Sequence, residues 1–149
     1  MLDDLELPTD DEPRLDLNGT EAILLVDDDA MVRDIVGRML RQHGYTVIEA
    51  HDGVDAITAA GKHNAPIHLV LTDVVMPELT GRQLFYYLRV WYPPLRILFM
   101  SGYTRGAIAV RELEDAHTAF IAKPFTMDQL ALKVREMLDA PTEPEELTA

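Results

Sequence analysis

No cysteine occurs among the 149 residues. Its absence excludes disulfides, thiolate catalysis and cysteine-ligated zinc or iron clusters, and it accords with a reducing, cytoplasmic setting. Long apolar runs are missing too. Nothing approaches the roughly 18 residues of a membrane span, and the acidic N-terminus is unlike a signal peptide. Basic residues are scarce, with 13 Lys and Arg against 26 Asp and Glu for a formal charge of −13. Such a balance disfavours nonspecific binding to nucleic acid or to anionic membranes. The five histidines show neither H-x-x-x-H nor H-E-x-x-H spacing, so no histidine metal site is expected.

What is present is unevenly spread. Residues 1–20 hold seven acids and one arginine, and residues 140–149 three acids and no base, which leaves −4 of the −13 for residues 21–139. Both ends combine proline with acid and little apolar content, the composition of disordered arms. The expected organisation is a disordered acidic tail over 1–20, one folded domain over 21–139, and a second acidic tail over 140–149. At 48% apolar residues the body can bury a full core without staples.

Within the body, short apolar runs alternate with helical patterns, which predicts strands joined by crossover helices in a parallel sheet. Strands are expected at 22–26, 46–50, 69–72, 96–100 and 119–122. Helices are expected at about 31–43, 54–63, 82–91, 106–115 and 127 onward, the fourth being the weakest. Val32, Ile35, Val36, Met39 and Leu40 form a core-facing stripe at i, i+3, i+4, i+7, i+8. Gly44 is placed to stop that helix, Asp52 to cap the next, and Thr126-x-x-Gln129 is a capping-box pattern for the last. Phe85, Tyr86 and Tyr87 should put one aromatic outward.

Four apolar runs end in reactive residues. Leu24-Leu25-Val26 meets Asp27-Asp28-Asp29, Leu69 to Thr72 meets Asp73, Ile97 to Met100 meets Ser101-Gly102, and Phe120-Ile121-Ala122 meets Lys123-Pro124. The carboxyl ends of parallel strands share one sheet edge, and ligands bind there. Carboxylates brought so close repel unless a cation intervenes, and a hard divalent ion such as Mg2+ takes one or two carboxylates with water and phosphate oxygens. One acid of the Asp27-Asp28-Asp29 run suffices to cap a helix, so three in a row exceed that need. Lys123, before a proline at a strand end, is placed to face the acids. Ser101 taken alone reads equally well as a turn residue.

With Val26-Asp27-Asp28, Asp73-Val74-Val75-Met76-Pro77 followed by Gly81, Met100-Ser101-Gly102 and Lys123-Pro124-Phe125 in hand, residues 21–139 resemble a two-component response regulator receiver domain. The resemblance implies a flavodoxin-like doubly wound (βα)5 fold with five parallel strands in the order 2-1-3-4-5. It implies Asp73 as phosphoacceptor, Mg2+ (with Mn2+ an acceptable substitute) held by Asp27, Asp28, Asp73 and the Val75 carbonyl, and Lys123 and Ser101 on the phosphoryl group. Phe120 takes the place of the aromatic switch residue, without the hydroxyl of the more frequent Tyr. Val75 and Tyr103 would flank the phosphoryl group, and as neither positions water, slow self-dephosphorylation is expected.

The implied function is Mg2+-dependent phosphoryl transfer from a phosphohistidine to Asp73, switching protein contacts, in a signalling domain rather than an enzyme. The implied partners are a sensor histidine kinase or histidine phosphotransfer protein, docking on helix one and the strand-five turn, and a downstream protein target, with neither nucleic acid nor membrane. Residues 105–138 are the expected switch surface and the candidate surface of a phosphorylation-dependent homodimer. The pattern is that of a single-domain, chemotaxis-regulator-like protein, although 73–81 with 101–103 also resembles receivers of hybrid histidine kinases. The starting Met and acidic tails favour a stand-alone regulator or phosphate sink over an excised receiver. Two alternatives stay open. One is a receiver-like interaction module that works unphosphorylated. The other is a haloacid-dehalogenase-like phosphatase, against which Ser101-Gly102-Tyr103 stands where a second acidic pair is needed.

Overall fold

β-branched and leucine-rich runs of five or six residues form the strands of a parallel sheet in the computed structural model, which describes residues 16–74, 80–91, 95–101 and 117–140. The elements are β1 Ala22–Val26, α1 Ala30–Gln42, β2 Thr46–Ala50, α2 Gly53–Lys62, β3 Leu69–Asp73, α3 Gly81–Trp91, β4 Arg96–Ser101, β5 Thr118–Ala122 and α4 Met127–Asp139. The strand order is β2-β1-β3-β4-β5, and every pairing is parallel. This is the expected 2-1-3-4-5 order. The expected helix at 106–115 lies outside the described residues, as do residues 105–116 of the expected switch surface.

Alternation along the strands sorts the core into two layers. Leu24, Val26, Val70, Ile97 and Phe99 pack with Ala56 and Ala60 of α2 and with Leu84, Phe85 and Leu88 of α3. Ile23, Leu25, Leu71, Leu98 and Met100 pack on the other face with Val36, Met39 and Leu40 of α1 and with Leu130, Val134 and Met137 of α4. All five residues of β1 are buried, as a strand covered on both faces requires.

The helix ends follow the signals in the chain. Asp29 caps α1, accepting from the Met31 and Val32 N–H groups, and Asp52 caps α2, accepting from Asp55 N–H. Thr126 and Gln129 close both bonds of the capping box on α4. After α1, Gly44 takes a φ of 102°, while its N–H donates to Arg41 O and that of Tyr45 to Leu40 O. These are the paired bonds of a Schellman motif, and the left-handed residue favours glycine.

Three expectations need correction. Ile35 was placed on the core-facing stripe but is 48% exposed; it lines an open groove beside Pro124 and Phe125 rather than the core. Tyr86 and Tyr87 both face outward, not one of them. Residues 16–20, expected in the acidic tail, are held on the body. Leu17 packs against the α1/α4 layer, Gly19 N–H donates to His43 O at 3.0 Å, and Arg135 donates to Asn18 O at 2.9 Å. The composition rule fails there because the Leu17 side chain and the backbone groups Leu17 O, Asn18 O and Gly19 N–H find partners on the body.

Candidate functional site

Asp27 follows the last residue of β1, and Asp73 is the last residue of the adjacent β3, so the order β1-β3 brings them together at the carboxyl edge. Lys123 follows the end of β5, two strands away, and the Lys123–Pro124 bond is cis. Its ammonium lies 3.2 Å from Asp73 Oδ2 and 3.7 Å from Asp27 Oδ2. Carboxylate oxygens of Asp27, Asp28 and Asp73 lie within 4.8 Å of one another. Of the three consecutive acids, Asp29 is therefore the helix cap, while Asp27 and Asp28 are left for the site.

Asp27 is 1% exposed. Its Oδ1 accepts from Asp29 N–H at 2.9 Å, but its buried Oδ2 accepts no hydrogen bond among the described residues. Burial pushes its pKa above the ordinary carboxylate value; the Asp29 N–H and Lys123 work against that shift, and the neighbouring Asp73 and Asp28 charges add to it. Burial would lower the Lys123 pKa, yet the carboxylates of Asp73 and Asp27 outweigh it and hold the amine above its ordinary value. A buried carboxylate oxygen among three acids, with the Lys123 ammonium 3.7 Å away and no hydrogen bond among the described residues, is the environment a hard cation relieves. The donor set of charged oxygens fits Mg2+ or Mn2+.

Ser101 ends β4 opposite Ala122, one residue before Lys123, so its backbone reaches the same edge. Phe120 pairs with Phe99 in register and packs, half-buried, against the α2/α3 layer. Val75 and Tyr103 lie outside the described residues. One contributor was passed over in the sequence: Arg33 of α1, whose Nη1 donates to Asp27 O at 2.7 Å. Its signal was hidden because the contact runs back six residues, outside helical spacing.

A family model described as "Response regulator receiver domain" matches residues 23–135. The chain is 41% identical over 128 residues to the sensor kinase CckA of Brucella abortus (strain 2308), covering 86% of this chain and 14% of the kinase. It is 37% identical over 116 residues to the response regulator MprA of Mycobacterium ulcerans (strain Agy99), covering 78% of this chain and 49% of that protein. The chain thus spans half or less of the length of these relatives. Among solved structures, the receiver domain of the hybrid histidine kinase CckA superposes with a TM-score of 0.67 at 33% identity, over 79% of this chain and 99% of that domain.

Proposed function

Because this chain belongs to the response regulator receiver domain family, we propose that it is a phosphoacceptor in a two-component phosphorelay. Asp73 takes a phosphoryl group, and the new charge alters protein contacts. The observation that carries this reading is the convergence of Asp27, Asp28 and Asp73 with the Lys123 ammonium on one sheet edge. The family match leaves no support for the phosphatase alternative.

Asp73 acts as a carboxylate nucleophile. One of its oxygens bonds to phosphorus while the P–N bond to the donor imidazole breaks, and that electron pair leaves with the ring nitrogen. The nucleophile carries no proton to remove, so the protein contributes positioning and charge rather than a general base. Lys123, 3.2 Å from Asp73 Oδ2, stands where it neutralises the incoming phosphoryl oxygens. Asp27, Asp28, Asp73 and the Val75 carbonyl would hold Mg2+, with Mn2+ as a substitute, and the ion would supply further charge neutralisation on the phosphoryl group.

Phosphorylation replaces one carboxylate charge by about −1.5 to −2 and adds acceptor oxygens. Ser101 is the hydroxyl assigned to meet them, and Phe120 the packing residue that follows. Driving the switch from 1:99 to 99:1 takes a preference of about 5.5 kcal/mol for the active state.

The donor is a histidine-bearing kinase or phosphotransfer protein. Supporting this is an apolar groove of about 480 Å3 beside Lys123, lined by Val32, Ile35, Val36, Pro124, Phe125 and Met127. Such a groove fits the apolar face of a helix presenting a phosphohistidine to Asp73. Of the acidic tails expected at 1–20 and 140–149, residues 1–15 and 141–149 lie outside the described residues. No helix among the described residues is long and apolar enough to cross a membrane. Cytoplasmic placement rests on the cysteine-free composition. Output is by contact with a downstream protein, and a phosphorylation-dependent homodimer through residues 105–138 is one form it could take.

The test is intact mass after incubation with Mg2+ and acetyl phosphate, with wild type and Asp73→Asn side by side. One hydroxylamine-labile phosphoryl group that needs Mg2+ and vanishes in the variant is expected. No adduct on the wild type, with histidine kinases also tried as donors, would refute the phosphoacceptor reading and favour an unphosphorylated interaction module.

A further inference from the structure

Arg33 closes the first turn of α1, just after the acids, where positive charge is disfavoured by the helix dipole. What it touches explains its presence. Its Nη1 donates to Asp27 O at 2.7 Å, and its Nε lies 3.7 Å from Glu49 Oε1 on β2. The other Glu49 oxygen lies 2.9 Å from Arg41 Nη1. Arg33, residue 37 and Arg41 follow one another at i, i+4, i+8 on a single face of α1. The central position is glycine, where a Cβ would stand 2.9 Å from Glu49 Oε2. The missing side chain thus lets Glu49 lie across the helix between two arginines.

From this geometry we propose that Arg33, braced by Glu49, is a positioning residue for the cation site. It fixes the backbone turn that carries Asp27 and Asp28, two of the three acids on which the reading above places the ion. Asp27 is held by two bonds: Asp29 N–H donates to its Oδ1, and Arg33 donates to its backbone carbonyl. Partners that orient metal ligands from behind are worth about 10- to 100-fold in metal affinity. As Arg33 acts through the backbone, the lower end applies.

Charge and position predict opposite signs, which makes the inference testable. Removing a cation near a dication site should tighten Mg2+ binding if charge alone matters. Removing the brace should weaken it. Mg2+ dissociation constants of the full chain, measured by calorimetry for wild type, Arg33→Met, Arg33→Lys and Arg41→Met, separate the two. Arg41→Met is the charge-matched control, since Arg41 shares Glu49 but is not bonded to Asp27. The expected result is binding weaker by about tenfold in Arg33→Met and weakened in Arg33→Lys, whose shorter amine loses the fork but keeps the charge. Arg41→Met should stay within about twofold, as expected of a group outside the ligand-orienting shell.

Unchanged or tighter binding in Arg33→Met would overturn the positioning role while leaving the cation site intact. Equal weakening in Arg41→Met would also overturn it, by showing a general loss of α1. Should Arg33→Met fail to fold by circular dichroism, wild-type affinity in Arg33→Lys would overturn the role just as well. A wild type that takes up no Mg2+ would refute the cation reading itself.

Discussion

The buried acid and the lysine beside it both make stability fall as pH rises, each in its own pH window. Asp27 has its folded pKa raised by burial above the ordinary 3.8. Stability therefore falls as pH rises from that value through the raised one, because the unfolded chain ionises first, and the penalty is constant above it. With Mg2+ chelated, Asp27→Asn should melt a few degrees higher than wild type at pH 7, as about 1 kcal/mol would produce in a domain of this size. The gap should close at acid pH. A lower melting temperature for the variant across the whole range would show that the buried Asp27 carboxylate is not a burden. Lys123 has the same sign in an alkaline window, but there the loss is of a favourable pairing. Its folded pKa is raised above 10.5, so the stability it contributes is complete below that value and is lost as pH climbs through the raised one. Lys123→Met should remove that alkaline dependence, as read by thermal melts from pH 9 to 12.

At the scale of elements, the amino ends of the strands are tied together by α4. Arg135 donates to Asn18 O, to both carboxylate oxygens of Glu21, to Tyr45 Oη and to both oxygens of Asp139. Its hydrogen bond holds the Glu21 carboxyl below its ordinary 4.5, against the opposing effect of burial. That contribution is present above the ordinary value and fades as pH falls through the lowered one. Arg135→Met should cost about 2 kcal/mol, the range for hydrogen bonds to a charged group, and should speed amide exchange at Gly19. A urea midpoint within error of wild type would contradict this. Gly44→Ala should destabilise by at least about 1 kcal/mol. Its φ of 102° disfavours a side chain, and the new Cβ would stand 2.5 Å from Gly19 O. Slow exchange at Gly19 in that variant would count against the contact.

Over the whole molecule, one sheet separates a chemical edge from a structural one. Strands of five residues hold the Arg135 cluster roughly 17 Å from the acids, too far to share partners, so Asp27→Asn and Arg135→Met should change stability additively within about 0.5 kcal/mol. A larger coupling in the double-mutant cycle would show the two edges communicate. By itself the sequence determined the strands, the caps at Asp52 and Thr126, the Gly44 stop and the placement of Asp27, Asp28, Asp73 and Lys123 at the ends of strands. Each of these rests on local periodicity, on turn chemistry, or on a reactive residue at the end of an apolar run. Only the tertiary structure decided that Asp29 rather than Asp28 caps α1, that Ile35 faces a groove, that residues 16–20 belong to the body, and that Arg33, Glu49 and Arg135 are partners. These depend on contacts between residues separated by turns or by most of the chain. A side chain carries no local mark of the partner that folding will set against it.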